Sequence, residues 1–466
     1  MADLGERAGG TAILQDGTAG KAFRIVLGAG LLLTLTASLP GHMSLDSVVA
    51  LTEARTGVRQ TWAPPIASAA LKPFDQILNG TGLYVAATAA ILFLSLMSLS
   101  RLRPRAGWWA VALAAAFALT PQLLIYPAIV WRDVLFADLS VAGFVLLAHA
   151  ARRWGERPPW LTLGASLVCL VVAALARQNG LILVVAASVA VAWLLRGQGW
   201  RRAAAFGVGG LVVAALLGFG LNRLATPRQT IPKLRLNAAS LILEHYDVVG
   251  ARAHHPRLKL KEIGKADPAA QALIEAKGSA IYTPSRVDTL DLDDGLRRTL
   301  WHVPDAAMHA QWRRIITHYP AAYLLQRADV FRWTFLTPKL ELCLPVQVGV
   351  TGPQDMLKEL DVPAGMDVRA RGLAAYAQRF YGTPVFSHLF WALAAVATIV
   401  MLLRRRDPAD WVIVALLGGQ LAFTASFFFI SVACDYRYLY ALDLSAMAGL
   451  LYLALDPPGW RRGIPA

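Results

Sequence analysis

Four charged residues of this chain stand where charge is costly, and their types suggest one chemistry. Asp46 and Asp133 are acidic residues close to the ends of long apolar runs, and Arg177 and Arg437 fall in short turns between apolar runs. A carboxylate near a membrane surface must be paired, hydrated or put to work. One such task is to take a proton from a hydroxyl as it attacks. An arginine between apolar helices can clamp a phosphate with its planar fork of donors. Such a set would suit a transferase, with one carboxylate as base near an acceptor and a second orienting the acceptor or holding a metal. Each residue also has a plainer reading. Ser44 and Asp46 suit the first turn of a helix ahead of Val48, Val49 and Leu51. Asp133 suits the start of the run that follows it, and Arg177 could snorkel to lipid head groups. Asp138, deeper in that run, is expected to be buried and paired.

The elements that position these residues are apolar. The chain has 466 residues, of which 56% are hydrophobic and only 16% charged, and its mean hydropathy is +0.48. A soluble chain would carry about a quarter charged residues, so the composition means a polytopic, all-α membrane protein. The formal charge of +15 invites a nucleic-acid partner, but the arginines come in short clusters between apolar runs, as orientation signals do. Spans are expected near 22–40, 82–100, 107–125, 134–150, two within 160–195, 204–221, 386–403, 411–432 and 439–455, about ten in all. Arginines follow every second span: Arg101, Arg103 and Arg105; Arg152, Arg153 and Arg157; Arg196, Arg201 and Arg202; Arg404, Arg405 and Arg406; Arg461 and Arg462. By the positive-inside rule those ends face the cytoplasm.

The expected organisation is a cytoplasmic tail over 1–21, a transmembrane module over 22–221 with an outer loop at 41–81, a mixed outer domain over 222–382, transmembrane helices over 383–455 and a cytoplasmic tail over 456–466. The loop 41–81, the Asp133 turn, the Arg177 turn, the 222–382 domain and the Arg437 turn then share the outer face. Cys343 and Cys434 could pair there, whereas Cys169 falls inside an apolar run. Within the domain, Gln311 to Phe331 reads as one helix on or near the membrane. The acidic group Asp288, Asp291, Asp293 and Asp294 lacks the later acidic ligand of a calcium loop. His245, His254 and His255 lack the spacing of a zinc helix. These patterns call for no particular cofactor, and a divalent metal is left open.

In their order and sidedness the motifs resemble the polytopic GT-C-type glycosyltransferases that use polyprenyl-phosphate sugars, among them the protein O-mannosyltransferases and the lipid A aminoarabinose transferases. The matching residues are Asp46 after the first span, Trp62-Ala63-Pro64-Pro65 in the same loop, Trp131-Arg132-Asp133, Arg177-Gln178-Asn179-Gly180, Trp312 with Pro320, Tyr323 and Arg327, and Asp435-Tyr436-Arg437-Tyr438. The resemblance implies a GT-C-like fold, Asp46 as catalytic base, and donor phosphate at Arg437 with Tyr438 and Arg177. It further implies Trp62 and Arg327 as positioning residues for acceptor and loop. The partners would be a polyprenyl-phosphate sugar and a lipid, glycan or protein acceptor with a hydroxyl or amine, in a bacterial inner membrane with the large loop periplasmic. Two departures stand out. Asp46 is followed by Ser47 where many relatives carry a second acid, and Leu439 to Ala441 stand where proline is common. An O-antigen ligase-like enzyme, a lipid-linked-sugar flippase and a non-catalytic scaffold are the competing readings. No internal repeat of the kind many transporters carry is present.

Overall fold

The computed structural model describes residues 17–103, 106–154, 159–232, 234–405 and 407–457. Most of both tails lies outside these residues, as do Arg105, Arg157, Arg406, Arg461 and Arg462 of the arginine clusters. The described chain is helical nearly throughout. Its one sheet among these residues is a parallel pair of two-residue strands, Val58–Arg59 with Gln229–Thr230.

Among the described residues, eight helices are long and apolar enough to cross a membrane: Thr18–Ser38, Gly82–Leu102, Arg132–Arg153, Leu181–Gln198, Trp200–Ala225, His388–Arg405, Pro408–Ile430 and Tyr436–Leu455. Each matches an expected span. The other two expected spans differ. The run expected over 107–125 is a pair of helices, Trp108–Ala118 and Pro121–Ala128, bent by 74°. Pro121 cannot donate to the helical ladder and its ring obstructs the preceding turn, so the helix stops and restarts in a new direction. The run after Arg153 yields a shorter apolar helix, Trp160–Ala176, that ends where the chain turns at Arg177. A Cβ on Gly180 would lie 2.8 Å from the Cα of Ala174, so this turn requires glycine. Among the described residues this gives eight long helices, or nine with the bent pair as one span, with the shorter Trp160–Ala176 at the place of the other expected span.

Two of these helices form the centre of the bundle. Arg132–Arg153 and Tyr436–Leu455 are each 83% buried along their apolar window, against 17% for the peripheral Trp200–Ala225. On the first central helix Phe136, Val141 and Phe144 are buried, and on the second Leu442, Leu444 and Met447. The first carries Asp133 in its opening turn and the second begins at the Tyr436–Tyr438 turn. The most constrained helices of the molecule therefore hold the candidate residues at one end. Asp138 on the first is fully buried, but neither of its oxygens meets a protein partner, which corrects the expectation that it is paired.

The described residues of the 222–382 region are helical rather than mixed: the one strand among them is Gln229–Thr230. The 246–330 part of the region has a core of its own that gathers Tyr246, Val249, Ile274, Leu296, Met308 and Val330, whereas Val348, Leu357 and Leu373 belong to the main core with the bundle helices. The expected single helix over Gln311 to Phe331 is broken at Tyr319 into Asp305–His318 and Pro320–Leu336. Proline is favoured at the first position of a helix, where no N–H is needed. Leu324 and Leu325 remain exposed on the second of these helices. The domain is stapled to the turn before the last helix. Cys343 and Cys434 form a disulfide. The Cys434 N–H donates to the Ser285 carbonyl at 2.8 Å and the Val287 N–H to the Val432 carbonyl at 2.8 Å. Arg286 pairs with Asp435 at 2.9 Å.

Candidate active site

The loop after the first helix is held by backbone bonds to two other segments. His42 donates its N–H to the Ala128 carbonyl and accepts from the Val130 N–H on its own carbonyl, both at 2.9 Å. Met43 does the same with the outer domain: its N–H meets the Gly349 carbonyl and its carbonyl the Thr351 N–H, each at 2.9 Å. Gly41 makes this possible. Its φ is +115° and a Cβ there would lie 2.8 Å from Val85 Cγ2, a conformation and a space that suit only glycine. The next helix, Leu45–Thr56, starts at Ser44. The Ser47 hydroxyl accepts from the Ser44 N–H at 3.1 Å and donates to the Val130 carbonyl at 2.7 Å. Asp46 thus occupies a first helical turn, as its plainer reading required, and that turn is locked against the Trp131-Arg132-Asp133 segment.

Around this platform the structure brings together all but one of the expected site residues. Arg437 Nη1 lies 2.6 Å from Asp46 Oδ2, and its Nη2 lies 3.3 Å from Asp435 Oδ2. Its guanidinium stacks over Trp131 at 4.8 Å, and the Trp131 indole N–H donates to the Ser44 hydroxyl at 2.8 Å. Arg177 forms an ion pair with Asp133 and lies over the rings of Tyr438, at 5.1 Å, and Phe427, at 5.3 Å. Trp62 lies under the Arg132 guanidinium at 5.7 Å. The exception is Arg327. It is fully buried in the outer domain, paired with Asp247, and its Nη1 donates to the Ser431 carbonyl at 2.9 Å. It cannot meet an acceptor; it ties the domain to the end of the Pro408–Ile430 helix.

The cluster is not saturated. Asp46 keeps 51% of its side chain exposed. Asp133 Oδ2 and Arg437 Nε are buried without a hydrogen-bond partner among the described residues. Among the described residues Arg132 has no carboxylate within ion-pairing distance, and its only polar contact is the Trp62 ring. Sequence reasoning quoted Arg132 within its motif but gave it no role. The signal was available: of the two charges in Trp131-Arg132-Asp133, the one not needed at the helix start is the arginine. Burial pushes the Asp46 carboxyl up, but the guanidiniums of Arg437 and then Arg132 outweigh it and hold it below the ordinary carboxylate range.

Two cavities meet at Arg132. One, of about 90 Å³, is lined by Arg132, Arg177, Asn179, Phe427, Tyr438 and Trp62. The other, of about 280 Å³, lies beyond Asp46 along the Leu45–Thr56 helix. The first has the size and the guanidiniums to receive a phosphate group. The second offers its occupant a carboxylate. Among the described residues no three His, Cys, Asp or Glu side chains group as metal ligands, and Asp46 and Asp133 are each engaged by an arginine. Compared with protein-family models and with curated proteins, the chain finds no match in either.

Proposed function

We propose that the chain is an inverting, membrane-embedded glycosyltransferase that moves a sugar from a polyprenyl-phosphate donor to an acceptor hydroxyl or amine. The observation that carries this reading is a pair of cavities that share Arg132, the smaller lined also by Arg177 and the larger by Asp46, whose carboxylate is paired with Arg437. The donor phosphate would enter the smaller cavity and take bonds from Arg132, Arg177 and Arg437, with its tail between the helices. In doing so it competes with Asp46 for Arg437. A carboxylate that loses a cationic partner and gains an anionic neighbour becomes a stronger base. Donor binding thereby readies Asp46, which implies that donor binds before acceptor.

The transfer is one displacement. For a hydroxyl acceptor, the oxygen forms a bond to the anomeric carbon as the bond from that carbon to the phosphate oxygen breaks. The electron pair leaves with the polyprenyl phosphate, the hydroxyl proton passes to Asp46, and the anomeric centre inverts. The guanidiniums offset the charge that grows on the departing phosphate. Asp133 holds Arg177 in place for this, a positioning role rather than that of a second base. The Cys343–Cys434 disulfide favours an oxidising compartment on this face, in keeping with a periplasmic domain over 222–382 and cytoplasmic termini.

The test is a transfer assay with purified protein and a panel of polyprenyl-phosphate sugars, comparing wild type with Asp46→Asn and Arg437→Ala. Release of polyprenyl phosphate by wild type and not by the folded variants supports the reading. Arg437-dependent binding of donor without its consumption would instead make the protein a carrier of lipid-linked sugar.

A further inference from the structure

The larger cavity has a construction of its own, and it bears on the acceptor. Its floor is the Leu45–Thr56 helix, which places Asp46 at one end and Glu53 at the other, with Ala50 between them. Its walls include Trp62, Trp131 and Tyr84. The roof is the segment 58–64, and that segment is tied down on every side. Glu53 Oε1 accepts from the backbone N–H groups of Gln60, at 2.7 Å, and Thr61, at 3.1 Å, while Oε2 accepts from the Ser68 hydroxyl at 2.6 Å. The Arg59 guanidinium donates to the carbonyls of Thr61, at 3.0 Å, and Ala63, at 3.3 Å. The strand Val58–Arg59 pairs with Gln229–Thr230 of the outer domain, and the Ile231 N–H donates to the Arg59 carbonyl at 3.0 Å.

These contacts decide between the acceptor classes. An extended peptide acceptor needs an open groove and free backbone groups to pair with. Here the roof's donors are consumed by Glu53 and its strand is already paired. An alkyl chain would be laid against Asp46, Glu53 and Arg132. A volume of about 280 Å³ lies at the lower end of small-molecule sites, which combine aromatic walls with a few placed polar groups. A pyranose ring has that character, with apolar faces for an indole and hydroxyls at its rim for carboxylate and guanidinium.

We propose that this cavity seats one sugar ring of a carbohydrate acceptor, against Trp62 and with a ring hydroxyl at Asp46. The assignment rests on the transferase reading above and narrows its acceptor to a glycan. The proton and bond changes are those already given, with the ring hydroxyl as nucleophile.

The experiment is saturation-transfer NMR on the detergent-purified full chain. The probes are methyl glucoside, methyl galactoside, methyl mannoside and a serine-containing hexapeptide. At least one glycoside is expected to show ring-proton transfer and the peptide none. Ala50→Phe, which fills the cavity, should abolish the glycoside signal. Trp62→Ala should weaken binding about tenfold, and it covers the case in which Ala50→Phe does not fold. Lys339→Ala, exposed and outside both cavities, should leave the signal intact. Transfer to the peptide alone, no signal from any glycoside, or a glycoside signal that survives both cavity variants would overturn the assignment. The two readings fail separately. Glycoside binding without donor consumption removes the transferase and leaves the sugar cavity, whereas donor-dependent glycosylation of the peptide removes the sugar cavity and leaves the transferase.

Discussion

Two buried clusters of arginines and aspartates stand at opposite ends of the helical bundle, assembled from the same residue types in different ways. At the end away from the outer domain, Arg103 joins Asp407 at 3.0 Å and is bonded to Asp410 and the Tyr452 hydroxyl. Asp410 also takes Arg405 at 2.7 Å and the Tyr452 hydroxyl at 2.7 Å. The remaining oxygens cap a helix: Asp407 accepts from the Ala409 N–H at 2.9 Å, and Asp410 from the Asp407 N–H at 3.1 Å. Both carboxylates are saturated, and none of the cavities described above touches them. At the other end, among the described residues, Asp133 Oδ2 has no partner, Arg132 has no carboxylate within ion-pairing distance, and two cavities open at Arg132; an unpartnered guanidinium Nε, on Arg103 and on Arg437, is common to both ends. A staple and a site differ here in how far the charges satisfy one another, not in which charges are present.

Single substitutions test that difference, and the largest expected effect is on turnover. Asp46→Asn should lower the transfer rate about 10³-fold, within the range for loss of a general base, while its melting temperature stays close to wild type. Arg103→Ala should do the reverse. It leaves the buried Asp410 with Arg405 as its one remaining cation and removes the cation that joins it to Asp407, a loss at or below the lower end of the ~3–5 kcal/mol for a broken buried pair, yet the protein that remains folded should turn over normally. Thermal unfolding and initial rates on both variants decide it. Unfolding by Asp46→Asn, or loss of turnover at unchanged stability by Arg103→Ala, would erase the distinction.

Arg132→Ala sharpens the comparison at its most exposed point. This guanidinium has no ion pair to lose, so its removal should not destabilise the fold. It should raise the KM for donor about 10- to 100-fold, the worth of a charged hydrogen bond of about 1.5–3 kcal/mol. A variant that unfolds, or one that binds donor as wild type does, would place Arg132 with the staples.

What the sequence revealed follows the same line. Apolar runs and arginine clusters located every long helix, because a span is a local property of some twenty residues. The bend at Pro121 and the shortness of Trp160–Ala176 were less legible, since both depend on how neighbouring turns meet in space. Asp46 and Arg437 could be singled out because charge beside a long apolar run is conspicuous. Their pairing could not, because it depends on Gly41, on the bonds from His42 and Met43 to two other segments, and on contacts across hundreds of residues of chain. Arg327 was legible in part, since it holds the Ser431 carbonyl of the segment that leads to the Arg437 turn but lies buried away from the cavities. Its motif pointed to the site, while Asp247, its actual partner, carries no mark in the sequence that distinguishes it from other aspartates. The pairing of Cys343 with Cys434 was open in the sequence and is closed only by the docking of the outer domain on the 432–435 turn.

The smallest effect concerns pH, and it again separates the two ends. His42 is buried under the platform that carries Asp46, and its Nδ1 accepts from the Gly349 N–H at 3.1 Å. Burial, aided by Arg369 against the opposing charge of Asp367, pushes its pKa down to about 4. The ring is therefore neutral in the fold, while in the unfolded chain it takes a proton near its ordinary value of about 6.5. Stability from this group is complete above pH 6.5 and declines as pH falls from there toward 4. One pH unit, from 6.5 to 5.5, should cost about 1 kcal/mol. His245 in the outer domain, also pushed down to about 4 by burial, adds its own share. His42→Asn offers an amide oxygen to Gly349 and does not titrate, so its melting temperature should fall less steeply over this interval than that of wild type. An identical slope in the two proteins would mean that the platform under Asp46 does not depend on a neutral His42.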